Sequence, residues 1–310
     1  MSTATAATVP VRAASSITPL AWIEAKRYAR HPLFLVGFVL ALVASAGESG
    51  PIELDHQVVP AFFLGVLGLV VAARLTTSTR TASPVVDAAP VSETARTAAL
   101  CLACLVPATA GLVVVLVHQA FVAADPFPDY MYGTYGTLDR IAIVVVIPVI
   151  ASAGGPLLGV AVGRWWTFPG ATLLATVGLL LWSMLCAYAP EQSMDSSSLV
   201  ARSLHMLTPY TAFGSGDTGS SAPPTVVTSY TGSPVWFAVW TAALCGLAAC
   251  AALLHGATGR LRRTVRSAAV SCAVVALASL VLSVAFGNHD LVETSVHGGS
   301  SVPAPGSSRG

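Results

Sequence analysis

The sequence predicts an all-α fold, a polytopic membrane helical bundle of about seven transmembrane helices preceded by an amphipathic N-terminal helix on the cytoplasmic side. Three observations carry this expectation. Of the 310 residues, 55% are hydrophobic and 9% charged, with mean hydropathy +0.75, against roughly 25% charge in a soluble domain. Between the charges run apolar stretches at Pro32–Gly47, Gln57–Ala73, Thr97–Ala124, Ile141–Gly163, Trp165–Pro190, Val235–Leu254 and Ser267–Gly287, each close to the roughly 20 residues that cross hydrocarbon as a helix. Finally, Arg12, Lys26, Arg27, Arg30, Arg74, Arg80, Arg96, Arg164, Arg260, Arg262, Arg263 and Arg266 fall in the N-terminus and alternate connections, leaving Arg140, Arg202 and Arg309 opposite them. The positive-inside rule then places the N-terminus in the cytoplasm and the C-terminus outside a cell membrane crossed many times.

The division expected along the chain is a disordered start over 1–17, a membrane domain over 18–287 and a flexible outer tail over 288–310, rich in Gly, Ser and Pro. The start is no cleavable signal, since its apolar core begins at Pro32 and many further spans follow. Thr18 and Pro19 suit an N-cap and first helical position. In the helix that follows, Ala21, Trp22, Ala25, Tyr28 and Ala29 share one face, and Glu24, Lys26, Arg27 and Arg30 gather on the other. Such a segment either lies in the inner interface or simply flanks the first span with positive charge.

Between the second and third spans, Arg74–Arg96 holds a short helical signal. Ser83 can cap, Pro84 suits the first position, Val85 to Ala89 form a turn or two, and Pro90 ends it. Ser92 and Glu93 then restart a helix, the hydroxyl serving free amides and the carboxylate facing the positive end of the dipole. This stretch reads either as a docking surface or as an ordinary polar hairpin.

In the third span Pro107 invites a kink, and His118 beside Gln119 is the clearest ionisable group within any span. These two residues are candidates for a substrate path, weighed against a histidine bonded to a neighbouring helix. The fourth span carries Gly155, Gly159 and Gly163 four residues apart, a packing face for another helix within the chain or in a second protomer. Pro148 and Gly154-Gly155-Pro156 weaken that helix. In the outer segment Glu191–Pro234, Ser197 is expected to cap a short helix aligning Leu199, Val200, Leu204 and Leu207. The run Gly214–Pro224 reads as loop, and its G-x-G-x-x-G match lacks the strand–helix context of a dinucleotide site.

The six cysteines, Cys101, Cys104, Cys186, Cys245, Cys250 and Cys272, fall inside apolar spans, where they read as small packing residues rather than as a disulfide or metal framework. No phosphate loop, H-E-x-x-H or nucleophile elbow occurs. No catalytic, metal or cofactor site is therefore expected, and no basic patch interleaved with aromatics points to nucleic acid.

Two stretches carry a family resemblance. Trp22-Ile23-Glu24-Ala25-Lys26-Arg27-Tyr28-Ala29-Arg30-His31-Pro32, and Asp87-Ala88-Ala89-Pro90-Val91-Ser92 followed by Arg96 and a span, resemble the entry helix and cytoplasmic coupling loop of type-2 ABC transporter permeases. The long outer segment before Val235 is similar to the place where that family carries extracellular helices. The resemblance runs over about Thr18 to Leu254. It implies a permease subunit, in most such cases of an exporter, that pairs with a second permease or its own copy and docks a separate ATP-binding subunit through Ser83, Pro84, Val85, Val86, Asp87 and Pro90. The seventh span departs from the usual six. The competing expectation is a non-transporting membrane scaffold or immunity protein, for which the Gly155 face serves equally well.

Overall fold

The computed structural model describes residues 17–47, 58–81, 91–124, 135–193, 199–209, 213–217, 226–229, 232–286, 292–295 and 301–303. Helices dominate it. The first two, α1 (Ile17–Ala29) and α2 (Pro32–Gly47), meet at an elbow of 65°. Pro32 sets the break, because it has no amide to continue α1 and holds His31 away from helical geometry. The His31 ring then acts as a cap, with Nδ1 accepting a hydrogen bond from the Leu33 amide at 3.3 Å.

Next come α3 (Val58–Pro60), a π-helical stretch (Ala61–Val66) and α4 (Leu67–Thr81), which together form one rod. Helix α5 (Glu93–Ala103) starts at the Ser92 cap, whose hydroxyl accepts from the Ala95 amide, as its sequence leads one to expect. It passes through a turn at Cys104 into α6 (Leu105–Ala124). Pro107 accounts for that turn, since it offers no amide to the carbonyl four residues earlier.

The same chemistry shapes the next rod, in which α7 (Thr137–Ile141) widens into a π-helical stretch (Ala142–Val146) before α8 (Ile147–Trp165). Pro148 lies just past the widening, where its missing amide and its ring displace the regular ladder. Helix α9 (Ala171–Ser193) begins later than its apolar run. Trp165 ends α8, and a turn through Pro169 and Gly170, with Gly170 at φ 91°, reverses the chain first. The remaining helices are α10 (Leu199–His205), α11 (Pro234–Gly256) and α12 (Gly259–Ala285). The last begins well before its apolar run and takes Arg260, Arg262, Arg263 and Arg266 into its first turns.

Five rods are long and apolar enough to cross a membrane, or six if the bent α1–α2 pair is one span. This marks the chain as a membrane protein. The apolar part of α9, Ala171–Ala187, falls short of a full span, so the expected count of seven reduces to five or six among the described residues.

The framework is all-helical, as expected, and four short strands lie outside it. They are β1 (Gly214–Asp217), β2 (Val226–Ser229), β3 (Val292–Ser295) and β4 (Ser301–Pro303), an antiparallel sheet in that order. The loop expected at Gly214 and the flexible tail expected beyond residue 288 thus supply paired strands. Val226, Val227, Thr228, Val292 and Thr294, β-branched residues suited to extended chain, lie in its centre.

Packing centres on α8. It lies along the rod of α3 and α4 on one side and along α11 on the other, and α1 lies across α5. One core gathers Tyr28, Phe34, Leu64, Val71, Leu100, Val114 and Val160. A second, toward the opposite end, gathers Ile143, Met206, Phe213, Phe237 and Trp240. Met206 belongs to this second core, whereas Leu199 and Val200, expected to line one side of α10, are exposed.

Candidate functional site

The polar groups that the helices bring together concentrate at one end, where α4 and α8 finish, α5 begins, and α11 turns into α12. Glu93 is the first residue of α5, so its carboxylate already faces the free amides of a helix start. Arg164, in the last turn of α8, donates from Nη1 to Glu93 Oε1 at 3.2 Å. His255, in the last turn of α11, places Nδ1 3.2 Å from the same oxygen. Since an ionised carboxylate only accepts, that nitrogen is the one bearing hydrogen.

Arg164 is 4% exposed, so its charge is held in low dielectric and needs this carboxylate. Around the three, Thr94 Oγ1 donates to the Gly256 carbonyl at 2.9 Å, and the Trp165 indole donates to the Ala251 carbonyl at 2.8 Å. Trp165 also meets His255 edge to face at 5.4 Å. Three helices are thereby tied at one oxygen.

On α1 the expected division into an apolar and a charged face is not kept. Glu24 and Tyr28 are buried, at 7% and 1% exposure, whereas Trp22 is 63% exposed. The cause is Arg27, whose Nη1 donates to both Glu24 oxygens at 2.9 and 3.0 Å, so the carboxylate turns inward already paired. Arg27 also reaches Ser78 on α4 at 3.5 Å. Lys26 stands 4.9 Å over the Trp22 ring, and Arg30 shares their exposed side.

The glycine face of α8 is an internal joint. A Cβ on Gly155 or Gly159 would run into the backbone of Gly65 or Leu69, and one on Gly163 would come within 2.8 Å of Thr76. Helix α8 therefore meets its neighbour backbone to backbone. His118 Nδ1 lies 3.2 Å from the Ser45 carbonyl of α2, the interhelical bond weighed against a path role, and Gln119 beside it is half-buried. Ser83, Pro84, Val85, Val86, Asp87 and Pro90 lie outside the described residues, as does Ser197.

Further along α8, an apolar cavity of about 360 Å³ opens between α8 and α11, with Gly154, Leu158, Thr241, Cys245 and Ala248 among its walls. Its two polar side chains are both engaged, Thr241 Oγ1 with the Phe237 carbonyl and Cys245 Sγ with the Ile150 carbonyl. Such a lining accepts apolar matter.

The Glu93–Arg164–His255 knot escapes a reading of sequence. Each residue looks locally sufficient, Glu93 as a helix-start acid and the other two as basic flanks of spans, and no spacing links positions so far apart. Comparison with protein-family models, curated proteins and solved structures finds no match to this chain.

Proposed function

We propose that this protein is the membrane-spanning permease subunit of an ATP-driven ABC transporter of exporter type. The observation that carries the reading is the Glu93 knot. Helix α5 directly follows the connection expected to dock an ATP-binding subunit, and its first residue is bonded to the ends of α8 and α11. Displacement of that connection would act on three long helices together, because a buried cation and its carboxylate move as one.

In this reading the end bearing Arg164 and Arg260 faces the cytoplasm. Helix α1 lies in the inner interface, with Trp22 and Ile23 in the headgroup layer and Lys26 and Arg30 beside lipid phosphates. A second permease chain, or a second copy, completes the pathway. The apolar cavity beside α8 suits a hydrophobic substrate entering from lipid, and α2 by itself and α9 at its full length join the five long rods to make seven spans.

The test is a mild-detergent pull-down of the tagged chain from its native host, comparing wild type with a Val85→Asp, Val86→Asp variant. Recovery of a Walker-motif ATPase with wild type alone supports the reading and locates the docking surface. No ATPase with either inserted chain overturns it in favour of a scaffold or immunity protein.

A further inference from the structure

A second cavity, of about 480 Å³, opens at the basic end between α4 and the turn that joins α8 to α9. Its volume falls among those of small-ligand sites. One wall is a single face of α4, on which the i, i+3, i+4 spacing sets Arg74, Thr77 and Ser78 side by side. The opposite wall is the turn itself, including Trp166, Thr167, Phe168 and Thr172.

This wall is well formed. The Trp166 amide donates to the Val162 carbonyl at 2.9 Å, the Leu174 amide to the Gly170 carbonyl at 2.9 Å, and the Trp166 and Phe168 rings stack at 5.9 Å. Among the described residues, no aspartate or glutamate lines the cavity. Among the described residues, no carboxylate forms an ion pair with Arg74. Arg27 reaches Ser78 at the rim, with its own charge already matched by Glu24. Among the described residues, then, the Arg74 guanidinium has no carboxylate partner and borders a pocket edged with hydroxyls.

We propose that this cavity binds the phosphate of an anionic membrane phospholipid in the leaflet at the basic end. A guanidinium takes a phosphodiester by paired charge-assisted hydrogen bonds. The hydroxyls of Thr77 and Ser78 now donate to the Ala73 and Leu75 carbonyls of their own helix; on an exposed face these bonds are weak enough to turn toward an anion. The lipid source follows from what adjoins the pocket. Leu173, Leu174 and Val177 are exposed on α9 immediately beyond the cavity wall, which gives acyl chains an apolar track, and Trp165 and Trp166 sit where indoles mark headgroup depth. The inference rests on the membrane assignment and is independent of the permease reading.

The test is native mass spectrometry of the purified full chain with phosphatidylglycerol, phosphatidylcholine and inorganic phosphate as separate probes. Wild type should retain phosphatidylglycerol about tenfold better than phosphatidylcholine, the size expected of one charge-assisted paired contact. Arg74→Gln should abolish that preference, Arg74→Lys should keep part of it, and Arg262→Gln, at the same end but outside the cavity, should leave it intact. Arg74 is exposed, so its variants should melt with wild type. Equal loss in Arg262→Gln, or full retention in Arg74→Gln, would overturn the site. Displacement of the lipid by inorganic phosphate at equal concentration would overturn the lipid assignment in favour of a soluble anion.

Discussion

The Arg164 guanidinium donates to the Glu93 carboxylate across 3.2 Å, joining the last turn of α8 to the first turn of α5, with the cation almost wholly buried and the acid half exposed. The asymmetry matters. Loss of the acid strands a charge away from water, while loss of the arginine leaves a carboxylate that water can still reach.

Glu93→Gln should therefore cost about 2 kcal/mol of stability, and Arg164→Gln should cost less where packing is retained. Thermal unfolding of the two single variants and the double variant in detergent checks this. A coupling of at least about 1 kcal/mol is expected in the cycle, and strict additivity would dissolve the pair.

The joint between α8 and α4 predicts a contrast between glycines. Gly159→Ala forces a methyl into the Leu69 backbone, so it should destabilise by about 1–3 kcal/mol, as overpacking does. Gly178→Ala on α9 meets nothing within 4 Å and should be neutral, or stabilising by up to about 1 kcal/mol through helix propensity. Melting temperatures of the two variants provide the comparison.

His31 predicts a pH dependence. Partial burial, and secondarily the charge of Arg74, hold its pKa below the ordinary value of 6.5, and its Nδ1 must stay unprotonated to accept the Leu33 amide. A pKa depressed in the folded state favours the neutral ring there. Its contribution is complete above the unfolded pKa and is lost as pH falls from that value through the folded one. Melting between pH 7 and pH 5 should show this loss, and His31→Asn, which can cap without titrating, should flatten that part of the profile.

Tyr28 predicts the opposite of the usual penalty for deleting a polar atom. Its hydroxyl is buried against Gly68 and has no hydrogen-bond partner among the described residues. Tyr28→Phe should thus match wild type or exceed it by about 1 kcal/mol. A loss of that size would mean that the hydroxyl is bonded.

Much of the helical framework is legible in the chain because its signals are local. Pro32–Gly47 emerges with its expected bounds, and Ser92 caps α5 as its position before Glu93 implies. Where a signal is non-local, the reading departs. Apolar character puts Trp22 on a shared face with Tyr28, yet Arg27 folds back on Glu24 and turns that carboxylate inward with Tyr28. The tail after residue 288 lacks the composition of a core, but β3 finds β2 as a partner for its backbone groups. Arg164 and His255 look like basic flanks until two helix ends meet Glu93.

The sequence by itself determined that the chain is a membrane protein, which segments are long and apolar, and where prolines interrupt them, because length, hydropathy and a missing amide are properties of a few consecutive residues. Tertiary structure alone decided that the glycines of α8 are an internal joint, that Glu93 serves two basic partners, and that Arg74 lines a cavity beside the turn from α8 to α9. Each of these depends on groups far apart in the chain, and hydropathy says nothing about which of the rods will lie side by side.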